Sequence, residues 1–398
     1  MDSISFYFLL LIAIVAGWLM SRFMYPRNKI QDKSHNDLFE DYFVGLNYLL
    51  NDEPDEAIDT FINALEINSE TIETHLALGA LLRRRGKVDK AIKVHHALLA
   101  RPELEQGFSG SARLQLAQDY ISAGLLDRAE RLLNEVLNEN KNFKWEALRF
   151  LITIYQTEKE WEQAISSSSM MLANPTFKKD IELRAAAAHY CCEIAEQLLE
   201  SNNDAGARAS IKRAFTFDRR NIRASFLLAK IEQRRGKFKA AIKELVRILA
   251  SNPDFIGQLL QPLSDCYEQL GSSAGFEKLL RDSLLDSVDV NVMLTLTELI
   301  QENSGSESAL SFLKQQLSIN PSMAGLLKLL GLQIGDADDK SDAGESLRAV
   351  QKLLKEMLQK SAEYQCNHCG FESRKFYWMC PSCKKWDRIK PMAQSALR

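Results

Sequence analysis

Leu78-Gly79-Ala80-Leu81-Leu82, then Gly86, then Ala91-Ile92 and Leu98, form a pattern that decides the fold. It returns along the chain at intervals of about 34 residues. An earlier copy carries Val44-Gly45 and Ala57, and a later one Leu116-Ala117, Tyr120, Gly124, Ala129 and Leu133. The next runs through Leu151, Tyr155, Trp161, Ala164 and Met171, and a weaker one through Ala195, Leu198, Ala207, Ile211 and Ala214. Leu228-Ala229, Gly236, Ala241-Ile242 and Leu245 restate it clearly. Two degenerate copies follow, around Tyr267, Gly271, Phe276 and Leu280, and around Leu296, Ile300, Ala309 and Leu313. A last helix pair near 323–334 and 343–360 would close the array.

The positions have a physical logic. Small residues recur where two helices of one unit would cross: Gly45 with Ala57, Gly79 with Ala91, Ala117 with Ala129, Ala229 with Ala241. A larger side chain there would push the helices apart, because close-packed interiors tolerate little added volume. Gly86, Gly124, Gly236 and Gly271 fall where a first helix must end with positive φ. The apolar residues between them bury each unit against the next, and no unit buries its face alone. The array resembles tetratricopeptide repeats. The expectation is an all-α solenoid of about eight to nine helix pairs over residues 38–361.

A second signal lies near the carboxyl end, in Tyr364-Gln365-Cys366-Asn367-His368-Cys369-Gly370-Phe371 and Trp378-Met379-Cys380-Pro381-Ser382-Cys383-Lys384-Lys385-Trp386. Each Cys-x-x-Cys turn points two sulfurs at one spot, and two facing turns supply four ligands. Cys366, Cys369, Cys380 and Cys383 therefore predict one Zn or Fe ion in a closed tetrahedral site with no position for substrate. His368 is expected to be an exposed bystander. A segment this short cannot build its own core, so the metal must supply folding energy. Tyr364, Phe371, Trp378 and Trp386 are expected to pack around it or against the rest of the protein. This small domain is placed at 362–398.

At the amino end, Ser3 to Ser21 carries no charge, and as a helix it would measure roughly 28 Å, close to a bilayer core. Only Asp2 precedes it and no A-x-A site follows, which argues against a cleaved signal peptide. Arg22, Arg27, Lys29 and Lys33 come next, so the positive-inside rule puts the amino terminus outside and the body in the cytoplasm. Residues 1–22 are expected to be a single-pass transmembrane anchor and 23–37 a juxtamembrane linker.

The net charge of −3 gives no basic footprint for nucleic acid. Three of the seven cysteines, Cys191, Cys192 and Cys266, are scattered over apolar helices, which suits a reducing compartment. Of the basic runs Arg83-Arg84-Arg85, Arg219-Arg220 and Arg234-Arg235, two stand beside turns, where solvated charge is the ordinary outcome. With the usual inner-face spacing, Arg83, Arg84, Arg223, Lys230 and Arg234 would line a concave groove suited to an acidic or phosphorylated partner. No phosphate loop, His-Glu-x-x-His or nucleophile elbow is present, and the expectation is not an enzyme.

Anchor, repeat array and four-cysteine knuckle, in this order over nearly the whole chain, resemble the bacterial lipopolysaccharide assembly protein B (LapB/YciM) family. The resemblance carries the family's metal ligands onto Cys366, Cys369, Cys380 and Cys383, in a domain called rubredoxin-like. Lys384 stands where rubredoxin's second turn ends in glycine, so zinc suits the site as well as iron. The resemblance implies a non-enzymatic adaptor at the bacterial inner membrane. It would promote degradation of the lipid A deacetylase LpxC by the membrane protease FtsH, and answer to a lipopolysaccharide-sensing or export membrane protein. Two other classes compete with this reading. One is an electron-transfer protein with an iron knuckle, and the other a scaffold coordinating lipopolysaccharide synthesis and export without proteolysis. A homo-oligomer is compatible with such an array.

Overall fold

The computed structural model describes residues 72–100, 106–139, 142–286, 289–335 and 342–392, with Val15, Val44, Asn47, Tyr48, Glu56 and Thr60 as single positions before them. The anchor expected at 1–22, the linker at 23–37 and the first repeat copy around Gly45 and Ala57 otherwise lie outside the described residues. Among the described residues no helix is long and apolar enough to cross a membrane. The chain divides into two compact units, Met1–Ala147 and Leu148–Arg398.

The first unit holds helices α1 (Ile72–Arg84), α2 (Val88–Leu99), α3 (Gln106–Ser122) and α4 (Leu126–Glu139). Helix α1 packs on α2 and α3, and α3 on α4, so each pair buries its face on a neighbour. The α1–α2 turn ends as the pattern requires. Gly86 has φ +78°, Lys87 N–H donates to the Leu82 carbonyl at 2.9 Å, and Gly86 N–H to that of Arg83 at 3.0 Å. Ala91, Ala117 and Ala129 are fully buried. Gly79 is also tightly packed, and a neighbour not anticipated lies nearest to it. A Cβ built there would run into the imidazole ring of His95.

That ring is itself fully buried, whereas the adjacent His96 is exposed. His95 Nδ1 lies 2.5 Å from Asp119 Oδ2, and Asp119 Oδ1 accepts from Arg83 at 2.6 Å. A charged network thus ties α1, α2 and α3 inside the unit, with Asp119 fully buried at its centre.

The second unit runs from α5 (Lys144–Glu158), whose first turn straddles the boundary, through α6 (Trp161–Leu172), α7 (Ile181–Glu200), α8 (Asp204–Phe217), α9 (Ile222–Arg234) and α10 (Phe238–Ser251). A short 3-10 turn, Pro253–Phe255, leads into α11 (Ile256–Gln269), α12 (Ser273–Asp286), α13 (Val290–Ser304), α14 (Ser306–Ile319), α15 (Met323–Gly335) and α16 (Asp342–Lys360). First helices stack on first helices, α7 on α9, α11 on α13 and α13 on α15, while each also packs on its own partner. Asp180, Asn203, Asn221 and Asp289 cap α7, α8, α9 and α13 through side-chain oxygens that accept first-turn N–H groups. Gly236 and Gly271 hold their turns at φ +69° and +61°. At the α5–α6 turn a lysine, Lys159, takes this role at φ +61°. A left-handed residue with a Cβ costs about 1–2 kcal/mol that glycine would avoid.

Gly79→Leu is expected to destabilise the first unit by about 1–3 kcal/mol, because the side chain must displace His95 from a closed core. Thermal unfolding checks this, and an unchanged melting temperature would contradict the α1–α2 packing described above.

Candidate metal centre

After α16 the chain forms a three-stranded sheet ordered β2–β1–β3, all antiparallel, from β1 (Tyr364–Cys366), β2 (Glu372–Ser373) and β3 (Ile389–Pro391). The pairing Cys366↔Ile389 places the first cysteine at the sheet's end. Two turns of matching geometry follow. In the first, Gly370 N–H donates to the Cys366 carbonyl at 2.9 Å, and Cys366 N–H to that of Phe371 at 2.8 Å. In the second, Lys384 N–H donates to the Cys380 carbonyl at 2.9 Å, and Cys380 N–H to that of Lys385 at 2.9 Å. Gly370 has φ +76° and Lys384 φ +58°, so the lysine adopts the left-handed backbone at the place where the first turn uses glycine.

These turns bring the four sulfurs within 4.8 Å of one another. Cys366 and Cys383 sulfurs are 3.8 Å apart and those of Cys369 and Cys380 3.6 Å, and no disulfide joins any of them. Thiolates on a tetrahedron of 2.3 Å zinc bonds would stand about 3.8 Å apart, so the set fits one metal ion. His368 is exposed and outside the cluster. Two of the thiols differ in environment. The Phe371 backbone N–H holds Cys369 down at about 6, whereas burial pushes Cys380 up to about 12. A metal ion deprotonates its thiols outright, so loading Cys380 releases a proton at neutral pH. Four sulfurs close the shell, and such a site holds structure rather than substrate.

The knuckle is seated on helices far away in sequence. Trp386 Nε1 donates to Gln156 Oε1 at 2.9 Å, and Tyr190 Oη donates to the same oxygen at 2.8 Å. Burial raises the Tyr190 phenol, which keeps it a donor. Gln156 Nε2 in turn donates to the Lys384 carbonyl at 3.2 Å, next to the last ligand. Trp386 stacks on the buried His189 with centroids 4.6 Å apart and planes 10° apart. His189 Nε2 lies 2.8 Å from Asp387 Oδ2 without the alignment of a hydrogen bond. Trp378 stacks on Phe255 at 5.8 Å, Gln258 donates to Tyr364 Oη at 3.1 Å, and Arg388 pairs with Glu182 at 2.6 Å. The contacts come from α5, α7, the 3-10 turn and α11. Arg223 of α9 adds its guanidinium 5.8 Å from the Trp386 ring. Four successive first helices therefore form the seat. Tyr364 and Phe371 pack against the cysteine cluster itself.

The five basic residues assigned to a groove fall into two groups. Arg83 is held by Asp119, Gln115 and Gln118. Arg223 is buried and paired with Glu193 and Glu196, both at 2.7 Å. Arg234 donates to the Leu199 carbonyl at 2.8 Å and sits 3.6 Å from Asp204. Arg84 and Lys230 are exposed. The residues that sequence reasoning missed are those of the seat: Gln156, His189, Tyr190 and Phe255. They are ordinary helix and turn residues until a knuckle far along the chain, 230 positions on for Gln156 and its partner Trp386, is folded onto them, and only its surplus of aromatics hinted at such a surface.

Cys380→Ser leaves three sulfurs and is expected to bring bound metal from one per chain to well below it, with loss of carboxyl-terminal structure. Wild-type protein should also release metal as pH falls, since protons compete for the thiolates. Elemental analysis after dialysis reads both, and full metal retention by the variant would contradict the four-thiolate assignment.

Residues 364–391 match a family described as a rubredoxin metal binding domain, and residues 74–107 match the tetratricopeptide repeat. Lipopolysaccharide assembly protein B of Escherichia coli (strain K12) is 33% identical over 386 residues, covering 97% of either chain. The protein of that name from Haemophilus influenzae (strain ATCC 51907 / DSM 11121 / KW20 / Rd) is 36% identical over 401 residues, covering 98% of either chain. A solved tetratricopeptide repeat protein from Parabacteroides merdae ATCC 43184 aligns at 14% identity over 72% of this chain and all of that one, with a TM-score of 0.34, too distant to argue from. Because identity of this degree runs nearly end to end through both repeats and knuckle, the chain belongs to the lipopolysaccharide assembly protein B family.

Proposed function

We propose that this chain is a membrane-anchored, non-enzymatic adaptor at the cytoplasmic face of the Gram-negative inner membrane. It promotes degradation of the deacetylase LpxC by the protease FtsH, and so limits the supply of lipopolysaccharide. The observation that carries the reading is kinship over 97–98% of the chain with relatives named for lipopolysaccharide assembly. The physical parts agree with it. A closed four-sulfur centre offers no coordination position for a substrate, which suits a structural metal. A run of helix pairs offers extended surface for a client, with Arg84 and Lys230 exposed for acidic groups. An anchor at residues 1–22, with the amino terminus in the periplasm, would confine the search for a membrane protease to two dimensions and raise effective concentration. A lipopolysaccharide-sensing or export membrane protein would bias the adaptor from within the same bilayer.

The half-life of LpxC in cells with and without this protein, with FtsH present, tests the reading. Deletion is expected to lengthen it several-fold, and a form lacking residues 1–21 should fail to restore it. An unchanged half-life would move the function to a scaffold that coordinates lipopolysaccharide synthesis and export without proteolysis.

A further inference from the structure

Helix α16 closes the array, and the chain turns into the knuckle after it, so no later repeat packs over its outer side. Its inner side faces α15. Leu347, Leu354 and Leu358 are half-buried there, and Gln351 approaches Gly331 of α15. About 100° further round the helix lies a second apolar stripe, Val350, Leu353 and Met357, at the i, i+3, i+7 spacing of a helix–helix seam. These three are 47%, 60% and 57% exposed, and among the described residues every other helix leaves at most one large apolar side chain exposed. Exposed apolar residues scattered singly are ordinary. A stripe on the last helix of a solenoid, where a polar outer face is the rule, calls for a cover.

The charges beside the stripe select what covers it. Glu345, Lys352 and Glu356 run along one flank, all exposed, and among the described residues neither Lys352 nor Glu356 has an ion-pair partner. A bilayer surface would ask for a basic flank with aromatic anchors, and this flank sets two acids against one base. A flank of mixed sign is suited to itself. When two copies of one helix pack antiparallel across a two-fold axis, the same flank of each faces the other. With Leu353 of one copy set between Val350 and Met357 of the second, Lys352 comes within about one residue of the register of Glu356 of the second copy. Symmetry makes that contact twice.

We infer that the Val350, Leu353 and Met357 face of α16 is an isologous dimer interface whose occupant is the same face of a second copy of this chain, packed antiparallel. The contact is one helix of 19 residues, roughly 28 Å long, against another, and by itself it buries less than the about 800 Å² per partner of a standard interface. The dimer is therefore reversible, in about the micromolar range, and its population follows the local concentration of the chain. The inference stands on the exposed stripe and its flank, and it does not rest on the adaptor reading.

The test uses the full chain, metal-loaded, in density-matched detergent micelles, followed by analytical ultracentrifugation from about 1 to 100 μM. Wild-type protein should pass from one copy to two per particle across that range. Leu353→Glu combined with Met357→Glu should weaken association at least about tenfold while metal content and melting temperature hold, because both side chains are exposed. Lys352→Glu and Glu356→Lys should each weaken it several-fold, and the two together should restore it, since the swap rebuilds both pairs. Should the two glutamates cost bound metal, the swap series, at exposed polar positions, decides. Photocross-linking from p-benzoylphenylalanine at position 353, in an equal mixture of ¹⁴N and ¹⁵N chains, should join residues 346–360 of two copies in mixed-isotope products. A chain that stays single at about 100 μM overturns the proposal. So does a dimer that survives both glutamates, as one held through the amino-terminal segment would, or a charge swap that fails to restore association. Cross-links confined to one copy overturn it as well.

Discussion

A knuckle of about thirty residues cannot bury a core large enough to offset its own chain entropy, and this constraint organises the carboxyl half of the molecule. Its interior is little more than Cys366, Cys380 and Ile389, with Tyr364 and Phe371 leaning on them. Four sulfurs converging on one ion hold that fragment from inside, and a seat of helices holds it from outside. The two are joined covalently within a few residues. Lys384, whose carbonyl accepts from Gln156, directly follows the ligand Cys383, and Trp386 and Asp387 reach His189 just beyond it. Metal ligation therefore positions the aromatic plug, and the plug's burial opposes unfolding of the metal turn. Trp386 is only 8% exposed, and an aromatic side chain removed from water to that extent contributes on the order of 2–3 kcal/mol.

The seat explains why these helices carry polar groups where a repeat array would tolerate plain apolar ones. Gln156 answers three partners at once, accepting from Trp386 and Tyr190 and donating to Lys384. Arg223 is buried in a chain whose charged side chains mostly stay wet, and it stays charged because Glu193 and Glu196 face it and Trp386 offers its ring. The first unit solves a similar problem differently. There Gly79 makes room for His95, His95 meets Asp119, and Asp119 holds Arg83. A buried carboxylate with two basic partners fixes the relation of three helices more narrowly than apolar packing would.

Much of this was legible in the sequence, for reasons that can be named. Local rules read local features. Gly86, Gly124, Gly236 and Gly271 hold left-handed turns because only the backbone matters there, and the cysteine spacing specifies the sulfur cluster because each turn is six residues of chain. The closing helices fall at Met323–Gly335 and Asp342–Lys360, close to where periodicity put them. Long-range partnership was not legible. Gly79 was read against Ala91 by repeat logic, whereas the ring of His95 closes on it, a side chain four residues further along the same helix. Arg83, Arg223 and Arg234 read as groove cations because a sequence shows charge without its counter-charge, and Asp119, Glu193 with Glu196, and Asp204 lie some thirty residues from them.

That gap bears on how such an array could grip a client. Inner-face reasoning assumes that the surface of the first helices is open. In the second unit it is the seat of the protein's own knuckle, over α5, α7, α9 and α11, and the strongest aromatic and guanidinium contacts there are already made within the chain. Exposed charge in this unit then lies beside the seat, as at Lys230 of α9, or at the seam where knuckle and helices meet. Lys159 comes to that seam from the array and Lys384 from the knuckle. A charge pair split between two separately folded elements exists only while the knuckle is seated, so the surface chemistry of the seam depends on a loaded metal centre. In that arrangement a structural metal, with no substrate position of its own, acquires a functional consequence through what it holds in place.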